Sequence, residues 1–261
     1  MLIVDVPLYE ARQKPLRTPI LLPLLAALCV QLLISAFQLD PALADLLYSL
    51  EGNQWLFKDH WFFSDLLHSG GRQFSILLLL LVFATLITSF FVSWLKPYKR
   101  VLGYLTLAPL CATLLVSSLK QATGIDCPWD LAPYGGDLPY VPLLSALVNG
   151  SGEGVCFPAG HASAGYAWVA VYFAAAVACP RLKWRLLTMA LGLGLMFGVC
   201  QQLRGAHFLS HDLWSLTLCW CTAAVIARLM LVKQRSPVTP RMNNLSGLSF
   251  VEADKNPGGR R

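Results

Sequence analysis

The chain has 261 residues, of which 56% are hydrophobic and only 13% are charged. An ordinary soluble domain carries about 25% charged residues, so this composition excludes one. The formal net charge of +6 is compatible with nucleic-acid binding, but the Lys and Arg residues gather in the tails and in short turns between apolar blocks. Such placement orients a membrane protein, and no nucleic-acid partner is expected.

Six apolar blocks are long enough, or nearly so, to cross a bilayer, which takes about 20 residues. The blocks cover roughly residues 19–37, 74–95, 101–119, 162–179, 186–203 and 213–232. The sequence therefore predicts an all-α fold, an integral-membrane bundle of six transmembrane helices. Its partner is the lipid bilayer, and its oligomeric state stays open.

The apolar blocks divide the chain into three predicted parts. Residues 1–18 form a lead-in, residues 19–233 form the membrane domain, and residues 234–261 form a polar tail that is expected to be disordered. Two loops of the membrane domain, residues 38–73 and 120–160, are long enough to carry function.

The positions of the basic residues predict the orientation. Most of them lie in the lead-in, in the tail and in two short turns around Lys99 and Lys183. By the positive-inside rule these segments are cytoplasmic. Both termini are therefore predicted to be cytoplasmic, and both long loops face outward, which in a bacterial inner membrane means the periplasm.

The first long loop mixes aromatic and charged side chains: Trp55, Phe57, Trp61, Phe62 and Phe63 stand among Lys58, Asp59, His60 and Asp65. Amphipathic rings of this kind settle in the lipid headgroup zone. The stretch is either a lid over a lipid site or a plain interfacial anchor.

Ionisable residues gather at the predicted outward ends of the spans: Lys120, His161, Arg204, His207, His211 and Asp212. Such groups are costly at membrane depth, so their clustering indicates function. Phosphoryl transfer through a covalent histidine needs cations on the phosphate oxygens, a neutral imidazole that attacks phosphorus, and a second histidine that protonates the leaving oxygen. This chemistry requires no metal and no cofactor.

Two other features lie near these residues. The turn Pro158-Ala159-Gly160-His161 leaves backbone N–H groups unpaired at a helix start, where anions bind. Cys127 and Cys156 both belong to the outward face, where an oxidising periplasm permits a disulfide between them. A bonded pair and two free thiols both stay open.

These residues resemble the motifs of the type 2 phosphatidic acid phosphatase family, the integral-membrane relatives of bacterial acid phosphatases and vanadium haloperoxidases. The first family motif is Lys-x6-Arg-Pro; here Lys120 is followed after six residues by Cys127-Pro128, so cysteine replaces arginine. The second motif is Pro-Ser-Gly-His, and Pro158-Ala159-Gly160-His161 matches it with Ala for Ser.

The third family motif, Ser-Arg-x5-His-x3-Asp, fits in two registers. With His207 as the nucleophile, Gln201 stands at the arginine position, Arg204 lies one helical turn closer, and His211 falls on the aspartate position beside Asp212. With His211 as the nucleophile, Arg204 lies seven residues before it and no aspartate lies four after it. The first register is preferred, because a Gly-x-His-aromatic run is usual at the family's nucleophile and residues 205–208 provide one.

The resemblance implies a role for each matching residue. His207 would form a phosphohistidine, with His211 or Asp212 holding its imidazole, and His161 would protonate the leaving group. The phosphate-binding residues would be Lys120, Arg204 and the backbone amides around Ala159 and Gly160.

The predicted function is therefore metal-independent hydrolysis or transfer of a membrane lipid phosphate or diphosphate. The substrates that the resemblance implies are phosphatidate, phosphatidylglycerol phosphate, undecaprenyl diphosphate and the phosphates of lipid A. The replaced arginines leave an alternative: a catalytically impaired membrane protein that binds lipid phosphates or moves lipids.

Overall fold

The computed structural model describes residues 20–150 and 152–232, without the side chain of His68. The predicted lead-in and tail therefore lie outside the described residues. Within them the regular elements are helices, and the β contact is an isolated bridge between Leu131 and Leu138. The all-α prediction is confirmed for this part of the chain.

Nine α-helices follow one another along the described chain: α1 (Leu21–Ala36), α2 (Leu39–Leu50), α3 (Gly71–Phe91), α4 (Lys99–Ala122), α5 (Leu143–Asn149), α6 (Gly160–Tyr166), α7 (Ala170–Ala178), α8 (Lys183–Leu203) and α9 (Leu209–Met230). A π-helical stretch, Phe62–Gly70, leads into α3, and a 3-10 helix, Ser93–Tyr98, leads into α4. Another 3-10 turn, Ala167–Val169, joins α6 to α7.

Among the described residues, five helical runs are long and apolar enough to cross a membrane: Phe62–Phe91, Ser93–Ala122, Gly160–Ala178, Lys183–Leu203 and Leu209–Met230. A sixth is present if α1 and α2 count as one span. The predicted multi-pass bundle is thus confirmed with five to six candidate spans, although the runs Phe62–Phe91 and Ser93–Ala122 begin well before the predicted blocks 74–95 and 101–119.

The predicted first span, residues 19–37, corresponds to α1, and the segment predicted as a loop begins with a second helix after a sharp bend. The axes of α1 and α2 meet at 64°, and Gln38 at the break adopts the left-handed conformation, with φ of 51°. The Gln38 Nε2 atom donates a hydrogen bond to the Ser35 carbonyl at 2.9 Å. Residues 38–73 are therefore largely helical rather than a loop, and α2 is turned onto α8 and α9.

The core lies between α4, α6, α7, α8 and α9 and combines many alanines with buried aromatic side chains. Ala223, Ala224 and Ala227 of α9 are fully buried, and the hydroxyl of Tyr104 on α4 donates to the Ala223 carbonyl at 3.1 Å. Small residues let membrane helices approach closely, because lipid provides no hydrophobic drive between them. The C-terminal ends of α4 and α8 and the N-terminal ends of α6 and α9 consequently meet at one end of the bundle.

Candidate active site

Lys120 lies in the last turn of α4 and is half-buried. A methyl group on Gly160, the first residue of α6, would lie 3.5 Å from Lys120 Cδ and 3.8 Å from its Nζ. The lysine therefore extends across the start of α6, close to Gly160. The first N–H groups of a helix have no intrahelical acceptor, so the lysine cation lies beside backbone donors at this place.

Two histidines lie beside this lysine. His207 stands in the turn between α8 and α9, His211 lies in the first turn of α9, and they are 4% and 1% exposed. Their ring centroids are 5.8 Å apart, and His207 interacts electrostatically with His211, Lys120 and His161. Four of the residues singled out in the sequence are thus brought together from α4, α6 and α9 and the turn before α9.

Backbone contacts fix the start of α6 against α9. The Ala159 N–H donates to the His211 carbonyl at 3.3 Å. The Ser215 hydroxyl contacts the Ala159 carbonyl at 2.9 Å and the His211 carbonyl at 3.0 Å. Because the Ala159 N–H is engaged with α9, the amide of Gly160 is the better placed of the two for an anion.

Cys127 and Cys156 form a disulfide, with their Cα atoms 5.2 Å apart. The Cys156 N–H donates to the Ile125 carbonyl at 2.9 Å, and its backbone interacts with the rings of His207 and His211. Cys127 holds the arginine position of the first motif. That position therefore contributes a covalent brace beside the histidines instead of a cation.

Arg204 is 9% exposed and is held by two partners. Its Nε–H donates to the Lys58 carbonyl at 2.9 Å, and its Nη1 donates to Gln201 Oε1 at 3.2 Å. Gln201 stands at the arginine position of the third motif and here orients the arginine one turn further on. Asp212 turns to α8, where it accepts a hydrogen bond from Gln202.

The electrostatics favour an uncharged imidazole at His207. Burial lowers the pKa of His207 well below its usual value, and His211, Lys120 and His161 act in the same direction. The Cys156 backbone acts in the opposite direction with a smaller effect. The ring is therefore neutral at neutral pH, the form in which an imidazole is a nucleophile.

A sequence profile of the PAP2 superfamily matches residues 99–235, just over half of the chain. The chain belongs to the PAP2 superfamily. This confirms the resemblance drawn from the three motifs, and membership implies phosphatase-type activity on phosphate esters. No curated protein and no solved structure matches the chain.

The PAP2 match begins at the first residue of α4, so the preceding helices lie outside it. Residues 51–61, here named the cap segment, nevertheless cover the site. Lys58 Nζ lies 4.7 Å from the centre of the Trp129 ring. The Trp55 ring packs directly on Gly205 and lies 5.7 Å from that of Tyr134.

Sequence reasoning missed these contacts of the PAP2 site. The Lys58 contact uses a backbone carbonyl, which no residue pattern reveals. Gly205, in the turn before His207, could have indicated a close contact at that position. The sequence does not show that Trp55 makes this contact. Within residues 20–150 and 152–232, no three His, Cys, Asp or Glu side chains form a group that could hold a metal ion.

Proposed function

We propose that this PAP2 protein hydrolyses or transfers the phosphate of a membrane lipid phosphate or diphosphate through a phosphohistidine. The observation that carries the proposal is the electrostatic cluster of Lys120, His161, His207 and His211 at the ends of their helices. Cations and a neutral imidazole side by side are what phosphoryl transfer requires. The scheme needs no metal ion.

The first step breaks the bond between phosphorus and the lipid oxygen. The neutral His207 ring attacks phosphorus, a P–N bond forms, and His161 gives a proton to the departing oxygen. Lys120 and Arg204 neutralise the phosphate oxygens as charge develops, together with the Gly160 amide. The His211 ring lies beside that of His207, with centroids 5.8 Å apart, and would limit how the nucleophilic ring can turn.

The second step regenerates the enzyme. Water, or the hydroxyl of an acceptor lipid, attacks the phosphohistidine and loses a proton to His161, and the P–N bond breaks. The product is inorganic phosphate when water attacks, and a new phosphate ester when the hydroxyl of an acceptor lipid attacks.

Unpaired buried nitrogens support a phosphate ligand. In the described part of the chain, the Nδ1 atoms of His207 and His211 are buried without a hydrogen-bond partner. Buried polar atoms in native proteins are nearly always paired, so a ligand with several acceptor oxygens fits here.

The substrate is proposed to be amphiphilic because the site lies at the ends of helices with lipid-facing, exposed apolar side chains. Its phosphate would reach the site from the outward leaflet of a bacterial inner membrane, with both termini of the chain in the cytoplasm. The positive-inside distribution of Lys and Arg supports this orientation.

The test is phosphate release by the purified chain from phosphatidate, phosphatidylglycerol phosphate, undecaprenyl diphosphate and lipid A, with a chelator present. His207→Ala and His161→Ala are expected to abolish release, while His60→Ala, which changes an exposed histidine of the cap segment, is the matched control. Acid quench with a radiolabelled lipid phosphate should trap phosphate on wild-type protein and not on His207→Ala.

Two outcomes would overturn parts of the proposal. Loss of trapping in His211→Ala, with His207→Ala unaffected, would make His211 the nucleophile. Lipid-phosphate binding without release or trapping would support the alternative of a catalytically impaired binding protein, which the engaged guanidinium of Arg204 and the disulfide at Cys127 favour.

A further inference from the structure

Asp40 lies in the first turn of α2 and is only 8% exposed. Its Oδ1 atom accepts a hydrogen bond from the Ser210 N–H at 2.9 Å. Ser210 is the second residue of α9 and lies between His207 and His211 in the sequence. A buried carboxylate from outside the PAP2 match thus contacts the backbone that carries both histidines.

The contact provides an acceptor for a backbone N–H group in the first turn of α9. The first N–H groups of a helix have no intrahelical acceptor, and the helix dipole favours negative charge there. The N-cap residue of α9 is Phe208, whose side chain has no oxygen and makes no capping hydrogen bond. Asp40 therefore caps α9 from another helix, in the manner of an N-cap carboxylate.

A small cavity joins Asp40 to the site on a second side. Its volume is about 20 Å³, and its lining includes Asp40, Asp126, Tyr140, Phe208 and His211. A cavity of this size has room for about one water molecule. Asp40 and His211 thus line one small cavity in addition to the contact through Ser210.

We infer that Asp40 is a positioning residue for phosphoryl transfer, because its carboxylate fixes the first turn of α9 and with it His207 and His211. The inference rests on the proposed function. The break at Gln38 is what makes the contact possible, since it turns α2 onto α9. The bent first span is therefore part of the catalytic architecture.

A neighbouring contact provides a matched control. The Tyr134 hydroxyl donates to the carbonyl of Pro41, the residue after Asp40, at 3.3 Å. Tyr134→Phe removes a hydrogen bond that ties the same turn of α2 to the protein and leaves the hydrogen bond between Asp40 and Ser210 in place. This variant measures how much stability and activity are lost when α2 is held less firmly but Asp40 still caps α9.

The experiment compares Asp40→Ala, Asp40→Asn and Tyr134→Phe in the purified full chain, with dioctanoyl phosphatidate as the probe. Asp40→Ala should lower kcat by about 10²-fold, the effect of misplacing a reacting group by about 1 Å, with KM within about threefold. Asn caps a helix about as well as Asp, so Asp40→Asn should keep kcat within a few-fold. Tyr134→Phe should lower the melting temperature and should lower kcat much less than Asp40→Ala does.

A second readout does not depend on turnover. Modification of His207 and His211 by diethyl pyrocarbonate should be faster in Asp40→Ala than in wild-type protein and unchanged in Asp40→Asn. If wild-type protein does not release phosphate from the probe, the proposed function fails for that lipid, and the modification rates still test the positioning role.

Three results would overturn the inference. The first is wild-type kcat in Asp40→Ala. The second is an equal loss of kcat in Tyr134→Phe, which would assign the effect to general loosening of α2. The third is unchanged histidine modification in Asp40→Ala.

Discussion

The guanidinium of Arg204 is tied to the backbone carbonyl of Lys58, 2.9 Å from its Nε atom, although 146 residues separate the two in the sequence. With the second hydrogen bond to Gln201, this contact fixes the direction in which the remaining N–H groups point. An arginine shifted from its usual place in the motif is thereby held in one orientation at the C-terminal end of α8. The cap segment is one of the two elements that hold it.

Arg204→Lys should lower kcat/KM by roughly tenfold to a hundredfold. A lysine ammonium lacks the planar fork that serves Lys58 and Gln201 together, and one hydrogen bond to a charged group contributes about 1.5–3 kcal/mol. The measurement is phosphate release by the purified variant. Arg72→Lys, at an exposed arginine, is the control, and equal activity of both variants would argue against a role for Arg204 in the phosphate site.

Removal of the disulfide should cost both stability and activity. The bond closes a loop with a sequence separation of 29, for which chain entropy gives about 3–4 kcal/mol, or roughly 10 °C in melting temperature. The double variant Cys127→Ser with Cys156→Ser should show this loss and a lower kcat, because the Cys156 backbone adjoins both histidine rings.

Thermal unfolding in detergent, with and without a reductant, measures the effect of the disulfide. Cys179→Ser changes an exposed free cysteine and should behave as wild type. A double variant that melts at the wild-type temperature would contradict the bracing role.

Hydropathy located the spans well, because an unbroken run of about 20 apolar residues is typical of a membrane-crossing helix and of little else. The positions of Lys120, His161 and residues 207–211 at the ends of the predicted spans also predicted that they lie at one end of the bundle, since successive membrane helices run in opposite directions. The predicted first span ends at residue 37, next to the break at Gln38, and Pro41 lies in the first turn of α2. The packing of α2 onto α8 and α9 was not predictable. Neither was the contact between Asp40 and Ser210, because a hydrogen bond between a side chain and a distant amide leaves no periodic pattern.

The stability of the protein should fall as the pH is lowered below about 6.5. His207 has a lowered pKa in the folded state, whereas in the unfolded chain it binds a proton near pH 6.5. Between those two values the unfolded state holds more protons, so stability is lost as pH falls, by at most about 1.4 kcal/mol per pH unit from this group.

The difference between wild-type protein and His207→Asn isolates this contribution. Melting temperatures between pH 5 and pH 8 should fall less steeply toward acid in the variant. His60→Asn, at an exposed position, should keep the wild-type slope, and parallel curves for wild type and His207→Asn would refute the low pKa.

Gly205 precedes His207 by two residues and adopts φ of +69°, where a side chain costs about 1–2 kcal/mol. A methyl group there would also meet the Trp55 ring of the cap segment. Gly205→Ala should therefore lower kcat by tenfold or more, since displacement of this turn moves His207.

Gly52→Ala separates the two effects in Gly205→Ala. Gly52 has φ of +80° but no atom within 4 Å of an added methyl group, so this variant carries the backbone cost alone and should keep its kcat. Adding Trp55→Ala to Gly205→Ala removes the clash and should restore part of the lost activity. If the double variant is no more active than Gly205→Ala, the loss comes from backbone strain, and the cap segment has no part in holding the turn that carries His207.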